Sequence, residues 1–160
     1  PLDTYAARTI GAAVAAATAG RASAIRYAPE PPPRRVALQR LAEVAGLAVL
    51  APSHLAIHPT FGPWFALRAA IVVDVDGPPP RPIPARACAC DHGCGPALAR
   101  ALAAGPPTSA GELRARWRLW LAVRDACPVG RAHRYPDDQL TYHYTGDRAA
   151  LPAAVTDDPV

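Results

Sequence analysis

Between His54 and Asp76 the chain sets three backbone breakers, Pro59, Gly62 and Pro63, inside an otherwise apolar stretch, HLAIHPTFGPWFALRAAIVVDVD. Breakers so close together force a turn. Ahead of them Leu55 and Ile57 alternate with Ala56 and His58, the spacing of a strand. Behind them Phe65 to Asp76 is rich in Ile, Val and Ala and suits a strand buried on both faces. The stretch therefore predicts a hairpin around which the remaining chain is arranged. Gly62 can take backbone angles closed to other residues and Pro63 fixes the next one, so the turn is expected to be rigid. His58 and Arg68 are the polar side chains of this apolar setting. An Arg inside a buried strand is costly unless something pairs with it, and a bound anion or an anionic arm of a ligand would be such a partner.

The flanks read as helices and one strand. Asp3 and Thr4 can cap a helix to about Ala19, with Gly20 as its stop. Ala22 to Ala28 is a short strand, Pro29 to Pro33 a stiff connector, and a second helix starts near Arg34. Its buried face is read as Val36, Leu41, Val44 and Ala45, and Gly46 ends it. Residues 77–87 are too proline-rich for a regular element and open a Pro/Cys-rich connector over 77–95. A short Ala/Leu helix to about Ala104 follows. Ser109 and Glu112 form a capping box opening a helix that carries Trp117, Trp120 and Leu121 and ends at Cys127-Pro128. A last helix spans Pro136 to about Tyr144, and residues 151–160 form a disordered tail. Helix, strand, helix, hairpin and a helical second half make one α+β domain over residues 1–150.

At 160 residues the chain is long enough for one real core. No run of apolar residues is long enough to span a membrane, and the first residues lack the pattern of a secretory signal. The expected location is cytoplasmic. No methionine occurs, so the sequence reads as a fragment or a trimmed product. Its basic side chains are all Arg, with abundant Ala and Pro, as in GC-rich bacterial coding, and Arg also suits bidentate anion binding. A net charge of +4, scattered along the chain, gives no case for nucleic acid. No nucleophile–base pair, P-loop or dinucleotide fingerprint is visible.

The segment Ile57-His58-Pro59-Thr60-Phe61-Gly62-Pro63-Trp64-Phe65-Ala66-Leu67-Arg68 resembles the I-H-P-x-F-G-x-W-F-A-I-R segment of the cobalamin-processing family typified by the methylmalonic aciduria and homocystinuria type C protein. Trp117-x-x-Trp120, Arg124-Asp125-Ala126 and Arg134-Tyr135 resemble that family's W-x-x-W, R-D-A and R-Y elements. Ala42-Glu43-Val44-Ala45-Gly46 stands where the family has A-H-V-A-G, with Glu43 in place of the His. The resemblance implies a flavin-reductase-like, nitroreductase-related α+β fold, incomplete here at the N-terminus. It further implies base-off cobalamin binding and reductive removal of cyanide or alkyl groups from cobalt, in the manner of a cyanocobalamin reductase and alkylcobalamin dealkylase. The reductant would be a small thiol or a flavin (FMN or FAD), and a homodimer is an assembly it allows. Cofactor-binding candidates are then His58, Phe61, Gly62, Trp64, Arg68 and Arg124, with arginines matching Arg68 and Arg124 holding the glutathione used in dealkylation.

Cys88, Cys90 and Cys94, followed later by Ala126-Cys127-Pro128-Val129-Gly130, have no counterpart in the animal protein of that family. They resemble a rearranged ferredoxin pattern and the iron–sulfur epoxyqueuosine reductases, which combine a related cobalamin-binding domain with such cysteines. Four thiolates suit one [4Fe–4S] cluster or a structural zinc. The spacing departs from the bacterial ferredoxin run, and the alternative is that Cys127 is a small buried hydrophobe beside remnants of a lost cluster. Should Cys127 lie apart, His92 is the nearest further ligand.

Two rivals stand beside cobalamin processing: a ferredoxin-like electron carrier or metal-binding module, and a cobalamin carrier without turnover. For the arginines the plain alternative is pairing with local carboxylates, Asp125 for Arg124 and Asp74 for Arg68. The expectation set against it is that Arg68 and Arg124 face one cavity. Trp64, Trp117 and Trp120 are read mainly as core, and Arg114, Arg116 and Arg118 as a solvated helix face.

Overall fold

The computed structural model describes residues 2–77, 79, 88, 90, 93–105 and 108–152. Most of the proline-rich connector, the disordered-tail assignment over 153–160, His92 and Pro106-Pro107 lie outside these residues. The chain is α+β. Helix α1 (Leu2–Thr18) leads into strand β1 (Ser23–Tyr27), helix α2 (Leu38–Val44), strands β2 (Val49–Leu50), β3 (Ala56–Ile57) and β4 (Ala69–Val73), then helices α3 (Cys94–Ala103), α4 (Ala110–Ala115), α5 (Trp117–Asp125) and α6 (Asp137–Thr145).

The turn exists but the hairpin does not. His58 and Gly62 exchange backbone hydrogen bonds of 2.9 and 2.8 Å, closing the turn around Pro59. The strands on either side then part. β3 pairs antiparallel with β2, Val49 opposite Ile57, while β4 pairs antiparallel with β1, Ser23 opposite Val73 and Tyr27 opposite Ala69. Each finds its partner upstream, because residues 64–68 run between them without regular structure.

The apolar run after the turn is also less buried than its composition suggests. Ile71 is 47 % and Val72 65 % exposed, and Arg68 lies one residue ahead of β4, partly exposed. A two-stranded sheet has too few neighbours to cover both faces of a strand.

Helix α2 starts later than expected, and its buried side is Ala42; Leu41, Val44 and Ala45 point outward, Val44 being 73 % exposed. Ala42 packs with Ala48 and Ala56, so small residues let the helix approach the β2–β3 pair closely.

The helix expected from Ser109 to Cys127 is two helices, broken at Arg116 (φ −108°, ψ 10°). Arg116 Nη1 donates to the carbonyls of Ala104 and Gly105 beyond the end of α3, so a side chain read as solvated caps a neighbouring helix. The capping box is present with a shift of one residue. The Ser109 hydroxyl accepts from Glu112 N at 3.1 Å, while the Glu112 carboxylate accepts from Thr108 N at 2.8 Å.

Two apolar clusters hold the helical half. Trp64, Leu121 and the fully buried Leu140 pack with Trp117, Tyr135 and Tyr144, joining the turn region to α5 and α6. Ala97, Ala101 and Val123 pack α3 on α5, with Trp120 at the margin. Both helices turn small or apolar residues toward each other at helical spacing.

Candidate functional site

Arg68 and Arg124 line the same cleft, of about 610 Å³, with His143, Arg40 and His54. Arg68 comes from the segment ahead of β4, Arg124 from the last turn of α5, His143 from α6, Arg40 from α2 and His54 from the β2–β3 loop. The apolar wall is Leu50, Leu55, Phe65 and Leu67 among others, and no carboxylate is among the described lining residues. The three guanidiniums among the described lining residues favour anions, Arg40 and Arg68 also pairing with Glu43 and Asp3.

Neither of the carboxylates offered for the arginines is used by them. Asp125 takes Arg134 instead, at 2.7 Å from its Nε, and Arg134 also reaches Asp137 at 2.9 Å; these two acids hold its guanidinium firmly protonated. Asp74 is exposed, and Arg68 pairs with Asp3 of α1 at 3.4 Å. With Asp3 66 % exposed at its side chain, such a pair contributes about 0–1 kcal/mol and leaves the Arg68 charge free to meet a ligand. Arg124 lies over the Trp64 ring, 5.7 Å from its centroid, and its Nη1 is buried with no hydrogen-bond partner among the described residues. A buried donor without a partner costs about 1–3 kcal/mol, which an incoming acceptor recovers.

Sequence reasoning missed Arg40, His54 and His143. His143 had a signal: it lies three residues after the buried Leu140 on α6. His143 is exposed, yet partial desolvation lowers its pKa, and the charges of Arg124 and then Arg68 lower it further, so the imidazole is neutral beside two cations. Its ring meets the Tyr144 ring edge-on at 5.2 Å, and Tyr144 stacks on Trp117 at 5.5 Å. Burial raises the Tyr144 pKa, and the nearby Arg124 opposes that rise.

The other cofactor-binding candidates lie outside the cleft wall. His58 Nδ1 accepts from Thr60 N at 3.1 Å and Phe61 N at 3.2 Å, fastening the turn. Phe61 is 40 % exposed and packs edge-on against His133 at 4.9 Å. Gly62 (φ 57°) is buried against the backbone of Val129 and Gly130. Trp64 is a core residue under Arg124 and Arg134. Glu43 accepts from Leu50 N at 3.2 Å and pairs with Arg40 at 2.9 Å.

The packing of α3 on α5 brings the segments that carry Cys94 and Cys127 together. Cys94 opens α3 and Cys127 follows α5, both buried, and Gly93 sits against Ala126. Cys88 packs on the cluster of Ala51, Ile57 and Cys127. Burial raises the Cys127 pKa, and the charges of Cys90 and Cys94 add to it; Cys88 is raised by burial, then by Cys90 and, less, by Cys127. Among the described residues no three His, Cys, Asp or Glu side chains are grouped as metal ligands. No helix among them is long and apolar enough to cross a membrane.

No family model, curated protein or solved structure matches this chain.

Proposed function

We propose that this protein binds cobalamin and removes its upper axial ligand reductively, with an anionic thiol or flavin reductant held between Arg68 and Arg124. The observation that carries the reading is the shared cleft: two arginines far apart in sequence line one cavity, and Arg124 keeps a buried donor without a partner among the described residues. The resemblance of the Ile57–Arg68 segment to cobalamin-processing proteins supplies the substrate class. The flavin-reductase-like fold and a cytoplasmic setting belong to the same proposal.

In dealkylation a thiolate takes the alkyl group from cobalt. The sulfur–carbon bond forms, the cobalt–carbon bond breaks, and its electron pair stays on the metal. The protein's part is to hold the thiol's anionic arms bidentately and orient its sulfur. Replacing Arg68 or Arg124 with Ala is expected to raise the thiol concentration needed for half-maximal dealkylation about 10-fold or more, with corrinoid affinity little changed. Equal loss of both, in a folded variant, assigns the arginines to structure.

A second reading, a [4Fe–4S] cluster or zinc on Cys88, Cys90, Cys94 and Cys127, is supported by Cys88 packing on the Cys127 cluster and by the Cys94 and Cys127 segments meeting. Neighbouring thiolates repel one another, and a soft cation reverses that repulsion. Adding Co(II) to the reduced protein under nitrogen tests it: intense sulfur-to-cobalt absorption supports a thiolate site, and its absence removes the reading.

A further inference from the structure

We propose that His143 is the base that takes the proton from the thiol cosubstrate in the Arg68–Arg124 cleft. This rests on the dealkylation reading and adds a catalytic residue to it. His143, on α6, shares the cleft wall with both arginines. Its plane is fixed by the edge-on contact with Tyr144, itself held by stacking on Trp117. Its ring makes no hydrogen bond within the described residues, so both nitrogens are open to a ligand. Among the described residues the charged and titratable groups around it are Arg68, Arg124 and Tyr144, with Arg40 and His54 across the cleft, and none of the described lining residues is a carboxylate. Although His143 is exposed, partial desolvation and the two guanidiniums keep the imidazole neutral near pH 7, the form that can accept a proton.

The step balances within these groups. The S–H bond breaks, its proton goes to a ring nitrogen of His143, and its electron pair stays on sulfur. The thiolate then attacks the alkyl carbon; the S–C bond forms, the Co–C bond breaks, and the pair left on the metal takes Co(III) to Co(I). The imidazolium returns its proton to solvent. Arg68 and Arg124 lower the energy of the thiolate as it forms, as they would any anion placed between them.

Two measurements test this with methylcobalamin and glutathione. The first needs no variant. With His143 as base, kcat/KM of the wild-type protein levels off at a pH below 6.5 and stays flat until the thiol itself ionises. With attack by pre-ionised thiolate alone, it climbs about tenfold per pH unit toward about 8.5, and that result overturns the proposal. The second uses His143→Gln. The rate at pH 7 is expected to fall about 100-fold, the gap to close as pH rises, and added imidazole to restore part of the loss, with the corrinoid spectrum unchanged. A variant with wild-type rate and pH profile overturns the assignment while leaving the dealkylation reading intact. A wild-type protein that binds no corrinoid removes both, and the binding spectrum tells the two failures apart.

Discussion

Gly62 and Gly130 pack backbone against backbone, and a Cβ on either would collide with the other's segment: Val129 O for Gly62, the Phe61 carbonyl for Gly130. Both have positive φ, 57° and 73°. Two short glycine-bearing segments, Phe61-Gly62 and Val129-Gly130, therefore interlock, joining the turn ahead of the cleft to the segment after α5 that carries Cys127. Gly62→Ala and Gly130→Ala each meet both a left-handed backbone and a backbone clash, which no side-chain rotation relieves. Each is expected to lower stability by about 2 kcal/mol or more, measured as a fall in the urea midpoint at unchanged slope. Losses under about 0.5 kcal/mol would mean the segments do not interlock.

Arg134 bridges Asp125 and Asp137 and lies over Trp64, so it ties the end of α5 to the start of α6, the helix that carries His143. The groups are about one-third exposed or more, which keeps the pair's worth near that of a surface ion pair. A double-mutant cycle of Arg134→Ala and Asp125→Ala is expected to give a coupling of about 1 kcal/mol that shrinks in high salt. A coupling of zero would leave α6 positioned by its apolar packing through Leu140 and Tyr144 and by the Arg134–Asp137 pair.

Much of this was legible in the sequence, and the failures share a cause. Helix ends marked by local chemistry were readable: Gly20, Gly46, the Ser109–Glu112 box and Pro136 all act within one turn of themselves. The pairing of β4 was not, because an Ile/Val-rich strand carries no mark of its partner, and Ala69–Val73 found Ser23–Tyr27 rather than the strand just before it. The break at Arg116 was hidden because its cause, the open carbonyls at the end of α3, is remote in sequence. In the cleft, Arg124 was foreseeable from its place one helical turn after Trp120. Arg40 and His54 were not, since their presence there depends on how α2 and the β2–β3 loop dock on the rest.

His143 also fixes an acid limb in stability. Its folded pKa lies below its ordinary 6.5, so as pH falls through 6.5 the unfolded chain takes up a proton that the folded chain resists. The contribution is fully present above 6.5 and is lost as pH falls. Glu30 and Glu112, whose pKa values are lowered from 4.5 chiefly by the hydrogen bonds they accept, lose theirs only below 4.5, so the two windows separate. Between pH 7 and pH 5 the urea midpoint is expected to fall for the wild-type chain and to fall less for His143→Gln. Parallel curves for the two would place the acid limb elsewhere.

The central claim is that this domain binds a corrinoid, and one spectrum tests it most directly. Cyanocobalamin mixed with an excess of the reduced protein, expressed with whatever sequence naturally flanks these residues, is followed across the visible cobalt bands. Binding with loss of the lower base, or reduction after cyanide leaves, shifts those bands toward a base-off or Co(II) species, and that is the expected result. Cobalt bands identical to those of free cyanocobalamin, with protein far above the corrinoid concentration, would contradict it.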